Sequence, residues 1–205
     1  MTNPEASQRL FVAIELPEAW KEGLESLQEQ MLAALRARFG DAVRPRWVRP
    51  ESIHLTLKFL GATLPSRLPA IEEALRLAVP DAPGLTLSLG RAGSFAERRA
   101  PRVILATVAG ETERLGQLAT RIETRLAAAG WPRERRSFHP HLTLARMPDG
   151  IEDATRRLVA EVTGACPPPS VPAFRVDHVS LMRSHLGPGG ARYERLAAYP
   201  VDATP

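Results

Sequence analysis

The sequence predicts an α+β protein built from two similar lobes. Strand-like and helix-like segments alternate along the chain, without the succession of buried strands that a parallel sheet would need. The order strand, helix, strand, helix occurs twice, the second time about 90 residues after the first. The tetrapeptide His-Leu-Thr-Leu begins a strand-like segment in each copy, at His54 and again at His141.

Composition narrows the class of protein. The 205 residues are 44% apolar and 24% charged, which is typical of a globular chain and not of a disordered or fibrous one. The one cysteine, Cys166, cannot form an internal disulfide. No segment reaches the length of a membrane span. The first ten residues lack the pattern of a signal peptide, so we expect a cytoplasmic protein that does not bind membranes.

The charge balance permits a phosphorylated partner without requiring one. The formal net charge is +4, and Lys21 and Lys58 are the two lysines among 27 basic residues. Guanidinium groups match the geometry of phosphate oxygens, so the arginine content suits a nucleic acid or a small phosphorylated ligand. A chain rich in arginine, alanine and proline also often reflects a GC-rich genome.

Each copy opens with a strand followed by a helix. The apolar runs Leu10–Leu16 and Val103–Val108 are typical of buried strands. Behind each run, apolar residues recur at i, i+3, i+7 and i+11, which is the spacing of one buried helix face. These two stripes are Leu24, Leu27, Met31 and Leu35, and then Leu115, Leu118, Ile122 and Leu126.

A second helix follows each His-Leu-Thr-Leu tetrapeptide, and further strands complete the pattern. The copies run from about Arg9 to Gly90 and from Pro101 to His185, and we interpret residues 1–205 as one two-lobed domain. The second helical stripes are Leu68, Ile71, Leu75 and Val79, and then Ile151, Ala154, Leu158 and Val162. The further strands are predicted at Leu85–Leu89, Phe174–Met182 and Tyr193–Tyr199.

The alternation of side chains along a strand predicts which residues of the first tetrapeptide face solvent. Residues i and i+2 lie on the same face of a strand, about 7 Å apart. His54, Thr56 and Lys58 are therefore predicted to share one face, while the intervening leucines and Phe59 enter a core.

The second tetrapeptide repeats this arrangement with His141 and Thr143. Two such strands, related by a pseudo-two-fold axis, would present two imidazoles and two hydroxyls across a shared cleft. Displacement at phosphorus needs a base on the attacking oxygen and an acid on the leaving oxygen, and histidine suits both tasks with a pKa of about 6.5. The threonine hydroxyls and the cation of Lys58 would hold the non-bridging oxygens. No metal is required if the histidines carry out the proton transfers.

Other candidate residues have weaker support. His139 shares its strand parity with His141 and is a possible metal pair, but no carboxylate stands at a matching spacing. Arg146 lies five residues after His141, so strict alternation turns it away from the cleft unless a bulge or strand end intervenes. His178 and His185 have no partner visible in the sequence and are expected to be structural or solvent-exposed.

These residues resemble the two-histidine phosphoesterase superfamily, whose signature is a pair of His-x-Thr-x motifs. Within it, the flanking segments are similar to the bacterial RNA 2′,3′-cyclic phosphodiesterases, formerly called 2′-5′ RNA ligases. The matching segments are Arg9–Pro17, Trp47–Gly61, Pro101–Val103 and Phe138–Arg146, in the family's order along nearly the whole chain. Members often carry two aromatic residues early in the first strand, whereas here Phe11 precedes Val12.

The resemblance implies two lobes, each an antiparallel sheet with helices outside, around a central active-site cleft. It implies opening of an RNA 2′,3′-cyclic phosphate to a 2′-phosphate, with no metal or other cofactor. His54 would be the proton donor and His141 the proton acceptor that activates water. Thr56 and Thr143 would hold the phosphate oxygens, and Arg146 matches an arginine that the family often places nearby.

The expected partner is RNA with a 2′,3′-cyclic phosphate end, including tRNA fragments, or a nucleoside 2′,3′-cyclic phosphate, and the expected state is a monomer. Two alternatives stay open. The reverse reaction at the same site would join tRNA halves through a 2′-5′ linkage, although excess water favours hydrolysis. A non-catalytic RNA-binding module would keep the cleft, but binding alone would not need paired proton-transfer groups.

Overall fold

The structure, a computed structural model, describes residues 6–79, 84–95, 100–187 and 190–201 and mixes helices with strands. The predicted α+β class is confirmed. The strands are β1 (Gln8–Glu15), β2 (Arg46–Trp47), β3 (His54–Thr63), β4 (Leu85–Ser94), β5 (Val103–Gly110), β6 (His141–Arg146), β7 (Phe174–Val176), β8 (His178–Gly187) and β9 (Gly190–Pro200). The helices are α1 (Glu18–Phe39), α2 (Leu68–Ala78), α3 (Thr112–Ala128) and α4 (Asp153–Gly164).

In the described residues, nine strands form one antiparallel sheet in the order β7-β4-β5-β6-β3-β1-β8-β9, with β2 beside β6. The two lobes are therefore the two halves of one sheet. Each copy of the repeat contributes a late strand to the other half, since β4 pairs with β5 and β8 pairs with β1. The halves join where Leu55 of β3 pairs with Leu142 of β6. We call this pair the seam.

All four helices contribute to a core that lies against one face of the sheet, where α1 packs on α4 and α2 packs on α3. Trp20 of α1 shows how this layer is held together. Its ring is fully buried and meets Phe174 edge-on at 4.8 Å, while Nε1 donates a hydrogen bond to the Pro172 carbonyl at 2.8 Å. Removing a buried ring of this size typically costs about 3–5 kcal/mol.

The predicted apolar stripes of α1 and α3 are buried. The stripe of α2 is buried too, including Val79 just after the helix, except that Leu68 is half-buried. The stripe predicted for α4 is only partly correct. Ile151 and Val162 are half-buried against the core, but Leu158 is 38% exposed, and the buried residues of the helix are Arg156, Val159 and Thr163. The Arg156 guanidinium donates to carbonyls just before the helix, so its aliphatic stem can pack in the core.

The strands differ from the prediction in two places. The run Phe174–Met182 is interrupted at Asp177 and forms parts of β7 and β8. The two-residue strand β2 was not predicted, because so short a run has no periodicity. No helix among the described residues is both long and apolar enough to cross a membrane.

A β-bulge follows the threonine of the first tetrapeptide. Thr56 pairs with Ala13, but Lys58 pairs with Val12, which leaves Leu57 as the extra residue on β3. An extra residue in a strand reverses the faces of the residues that follow it.

The second tetrapeptide carries the same bulge. Thr143 pairs with Leu105, but Ala145 pairs with Ile104, so that Leu144 is the extra residue on β6. The two copies of the motif therefore share an irregularity that simple alternation does not predict.

The first bulge overturns the expectation that Lys58 faces the cleft. Lys58 is 3% exposed, and its Nζ donates to Glu123 of α3, with a closest approach of 2.9 Å, and to the Pro132 carbonyl at 2.7 Å. Phe59, expected in the core, is instead 63% exposed. Lys58 thus ties β3 to α3 and to the segment that leads towards β6.

Removing the carboxylate that pairs with Lys58 should destabilise the fold. In a Glu123→Ala variant the buried ammonium loses its counter-ion, and breaking such a pair typically costs about 3–5 kcal/mol of unfolding free energy. Urea unfolding followed by circular dichroism measures the loss. The matched control is Glu134→Ala, which removes a 54% exposed carboxylate 4.0 Å from the same Nζ and should cost much less. Equal losses in both variants would contradict this account.

Candidate active site

The two His-Thr pairs meet at the seam. Leu55 and Leu142 are buried in the core, so the residues on either side of each leucine face the open side of the sheet. The strands are antiparallel, which places His54 on the same side of the seam as Thr143 and Thr56 on the same side as His141. The structure therefore brings these four side chains together, each of them half-buried.

Both imidazoles are oriented by a carbonyl two residues earlier in the chain. Nδ1 of His54 lies 2.9 Å from the Ser52 carbonyl oxygen, and Nδ1 of His141 lies 2.8 Å from that of His139. A carbonyl only accepts hydrogen bonds, so each Nδ1 carries a proton and donates it. Nε2 of both rings is then left to exchange a proton with a substrate.

The local chain geometry explains the first of these contacts. A single 3₁₀ turn at Pro50–Ser52, closed by a hydrogen bond from the Ile53 amide to the Pro50 carbonyl at 3.1 Å, immediately precedes His54. Proline at the start of this turn has a fixed φ and no amide hydrogen to leave unpaired. The turn sets the direction of the Ser52 carbonyl.

Aromatic rings enclose His54. Phe11 lies 4.7 Å from the imidazole centroid, and Tyr193 meets the ring edge-on at 4.8 Å with an interplanar angle of 81°. Phe11, Ala13 and Met182 form a small apolar cluster on the open face of the sheet, with Tyr193 packed against it. This cluster limits the rotation of the imidazole and its contact with water.

The surroundings of His54 shift its pKa. Burial lowers the pKa of His54 below its ordinary value. The hydrogen bond to the Ser52 carbonyl and the negative charge of Glu15 act in the opposite direction, and the nearby His141 lowers it further. The net shift of the pKa is downward, so the ring is mainly neutral at about pH 7 when no anion is bound.

Two cavities extend from the histidines. A cavity of about 350 Å³ beside His54 is lined in part by Lys21, Arg49 and Arg192 together with Glu15 and Glu51. Another, of about 460 Å³ beside His141, has a more apolar lining that includes Phe95, Leu105 and His139. Phe95 meets His141 edge-on at 4.7 Å, as Tyr193 meets His54 on the other side.

Arg146 stands on the open face because of the bulge at Leu144. It is exposed and pairs in register with Val103. Its charge reaches the Tyr193 hydroxyl: burial raises the pKa of Tyr193, while Arg146 and Arg9 lower it. Arg146 therefore lies within electrostatic range of the cleft, whereas Lys58 lies on the opposite face of the sheet.

Among the described residues, no group of three or more histidine, cysteine, aspartate or glutamate side chains is arranged to hold a metal ion. Nδ1 of His139 donates to the Ser137 carbonyl at 2.9 Å.

Sequence reasoning missed three residues of the cleft: Glu15, Tyr193 and Phe95. Glu15 continues the alternation of Phe11 and Ala13 along β1, so the spacing of that strand contained a signal for it. The other two come from segments distant in the chain from the tetrapeptide that each one contacts, and no local pattern predicts such contacts.

The lowered pKa of His54 predicts a pH dependence of stability. The unfolded chain has an ordinary histidine pKa of about 6.5 and so binds this proton at higher pH than the folded protein does. The unfolding free energy associated with the neutral form of His54 is fully present above about pH 6.5, and it is lost as the pH falls through the pKa of His54 in the folded protein. Between about pH 7.5 and pH 5.5, wild-type protein should lose more unfolding free energy than a His54→Gln variant. Urea unfolding at several pH values tests this, and identical pH dependence in both proteins would contradict it.

Comparison with known proteins agrees with this geometry. The sequence profile of the 2′-5′ RNA ligase superfamily matches residues 18–188. The RNA 2′,3′-cyclic phosphodiesterase of Escherichia coli (strain K12) is 32% identical over 198 residues, which cover 95% of this chain and 97% of that protein. The protein of the same name from Geobacillus stearothermophilus is 28% identical over 199 residues, and the chain spans 58% of its length.

Solved structures show the same fold. A protein of Thermus thermophilus superposes with a TM-score of 0.70 at 28% identity, covering 94% of this chain and 97% of that one. Escherichia coli LigT complexed with 3′-AMP superposes with a TM-score of 0.68 at 29% identity, covering 95% and 98%. With the paired His-Thr motifs on adjacent strands and a profile match along most of its length, the chain belongs to the 2′-5′ RNA ligase superfamily.

Proposed function

We propose that the chain hydrolyses 2′,3′-cyclic phosphates at RNA ends to 2′-phosphates, without a metal ion. The observation that carries this proposal is the meeting of two imidazoles and two hydroxyls on the open face of the seam, with both Nε2 atoms available. Relatives named RNA 2′,3′-cyclic phosphodiesterase support the choice of substrate. Both histidines come from one chain, so a monomer suffices.

The two histidines would divide the proton transfers. Nε2 of His141 takes a proton from water as the water oxygen bonds to phosphorus. The bond from phosphorus to the 3′ oxygen breaks, and Nε2 of His54 donates its proton to that oxygen. The product carries a 2′-phosphate and a 3′-hydroxyl. The negative charge of the bound phosphate raises the proton affinity of His54, which offsets the effect of burial.

The remaining polar groups would hold the phosphate. The hydroxyls of Thr56 and Thr143 flank the seam and donate to the non-bridging oxygens, where negative charge grows in the transition state. Arg146 supplies a cation on the same face, and its planar guanidinium suits phosphate oxygens. Lys58 has no part in this set, because its ammonium is buried beside Glu123.

Ligation of tRNA halves is the second candidate, and one observation favours it. The cavity of about 460 Å³ beside His141 lies on the side of the attacking oxygen and has room for a nucleoside whose 5′-hydroxyl replaces water. Its lining by Phe95, Leu105 and His139 offers apolar and ring surfaces to a base. Water at its bulk concentration competes with this hydroxyl, so we expect ligation to be the minor reaction.

The principal experiment uses a short RNA that ends in a 2′,3′-cyclic phosphate, incubated with purified protein in excess EDTA. Wild-type protein should convert the end to a 2′-phosphate. His54→Ala and His141→Ala should each lose about 10²–10⁴-fold in rate, because each removes one proton-transfer group. Chromatography against synthetic 2′- and 3′-phosphate standards identifies the product.

Other outcomes of this experiment decide between the alternatives. Lys58→Met should keep near-wild-type activity if it folds, which serves as a control for changes on β3 outside the cleft. RNA binding without turnover in wild-type protein would favour the non-catalytic RNA-binding module. Turnover that is unaffected in both histidine variants would show that the seam is not the catalytic site. A nucleoside 2′,3′-cyclic phosphate tests whether the RNA chain is needed.

The rate should have a bell-shaped pH profile. One histidine must be neutral and the other protonated in the productive state, so kcat/KM falls on both sides of an optimum. Initial rates between about pH 5 and pH 9 would show the two limbs. A flat profile over this range would exclude proton transfer by two histidines.

A further inference from the structure

The two tetrapeptides are identical, but their neighbours on the next strand are not. On β1, Glu15 pairs directly with His54. On β5, Thr107 occupies the equivalent place and pairs directly with His141. Directly paired residues of an antiparallel sheet point to the same face, with Cβ atoms about 4.5–5.5 Å apart. A carboxylate thus stands beside one imidazole and an uncharged hydroxyl beside the other.

Glu15 is held in place by groups on β8 and β9. Its Oε2 accepts hydrogen bonds from the Ser180 hydroxyl at 2.6 Å and from Nη1 of Arg195 at 3.0 Å, and Nε2 of His178 lies 3.4 Å away. Burial alone would raise the pKa of the Glu15 carboxyl, but the hydrogen bonds from Ser180 and His178 and the charge of Arg195 lower it overall. Glu15 is therefore held in its ionised form on the open face of the sheet, paired with the Arg195 guanidinium.

Thr107 cannot play this part for His141. Its hydroxyl donates to the Arg91 carbonyl at 3.2 Å, and threonine carries no charge at any pH of interest. The two copies of the repeat therefore differ at the position that pairs with each histidine on the neighbouring strand, which is Glu15 on β1 and Thr107 on β5.

We propose that Glu15 is a positioning residue that stabilises the protonated form of His54 and thereby assigns the proton-donor role to it. This inference rests on the proposed phosphodiesterase function. Two histidines with identical motifs have no intrinsic reason to divide the roles in one direction. Burial opposes protonation of His54, and the carboxylate beside that ring counteracts burial there, with no such group beside His141. With phosphate bound, His54 can then carry the proton while the other ring acts as the base.

Other charged and titratable groups also face this part of the cleft. His141 on β6 disfavours a second imidazolium, and the phenol of Tyr193 packs against the ring. The cations on neighbouring elements also disfavour protonation of His54, while bound phosphate favours it. Among the described residues, the charged groups that line the His54 cavity besides Glu15 are Lys21 of α1, Arg49 and Glu51 of the preceding turn, and Arg192 of β9.

The direction of a shift in the pH profile tests the proposal. A Glu15→Gln variant keeps the size of the side chain but loses the charge, so His54 gives up its proton at lower pH. If His54 is the donor, the alkaline limb of kcat/KM moves to lower pH, with a several-fold loss of rate above neutrality and little loss near pH 5. If the acidic limb moves instead, His54 is the base and the proposed assignment is overturned.

A second readout does not depend on activity. The imidazole signals of His54, assigned by comparison with a His54→Gln protein, can be titrated by NMR in the absence of substrate. Glu15→Gln should lower the pH at which His54 titrates, and Glu15→Asp, which keeps the charge, should restore most of the difference. The matched control is Glu51→Gln, which removes a carboxylate from the same cavity and should shift the titration of His54 much less, because the Glu51 side chain is 63% exposed.

Misfolding would not make the test void. Should Glu15→Gln unfold, Glu15→Thr copies the residue that the fold already accepts beside His141, and it is expected to shift the titration in the same way. An unshifted titration in a folded charge-removing variant, or an equal shift in Glu51→Gln, would overturn the proposal. Absence of turnover in wild-type protein would refute the proposed function instead, while the titration would still report on Glu15 itself.

Discussion

The pairing of Leu55 with Leu142 is the contact on which the candidate site depends. It joins the two halves of the sheet, and its buried leucines direct the residues on either side of them to the open face. Because the strands are antiparallel, each histidine comes to lie on the side of the other strand's threonine. A slip of one residue in this register would turn one imidazole and its threonine to the apolar core.

The bulges after the two threonines decide what surrounds that contact. Each adds a leucine to the core side, so the residue that follows, Lys58 or Ala145, is buried as well. The fifth residue after each histidine then returns to the open face, and there the copies differ: Phe59 in one and Arg146 in the other. The same bulge in both strands thus exposes the apolar Phe59 on one side of the seam and the cation of Arg146 on the other.

The surroundings of the two histidines also depart from symmetry. A site with two equivalent histidines would share its protons between them without a preferred direction. Here His54 is enclosed by Phe11 and Tyr193 and stands beside a fixed carboxylate, while His141 opens onto a larger cavity. Ser180 of β8 and Arg195 of β9 hold the Glu15 carboxylate and so link these two strands to β1. The stability of this half of the sheet and the position of the carboxylate beside His54 therefore depend on the same contacts.

Local patterns in the sequence determined most of the elements and the identity of the candidate His-Thr pairs. Helical spacing predicted the buried faces of α1, α2 and α3, and the repeated tetrapeptide singled out His54 and His141 with their threonines, since both signals depend on residues close together in the chain. The tertiary structure decided the orientation of Lys58, the buried face of α4 and the presence of Glu15 and Tyr193 beside His54. A bulge and a long-range strand pairing arise from competition between distant segments for one register, and no local pattern contains that information.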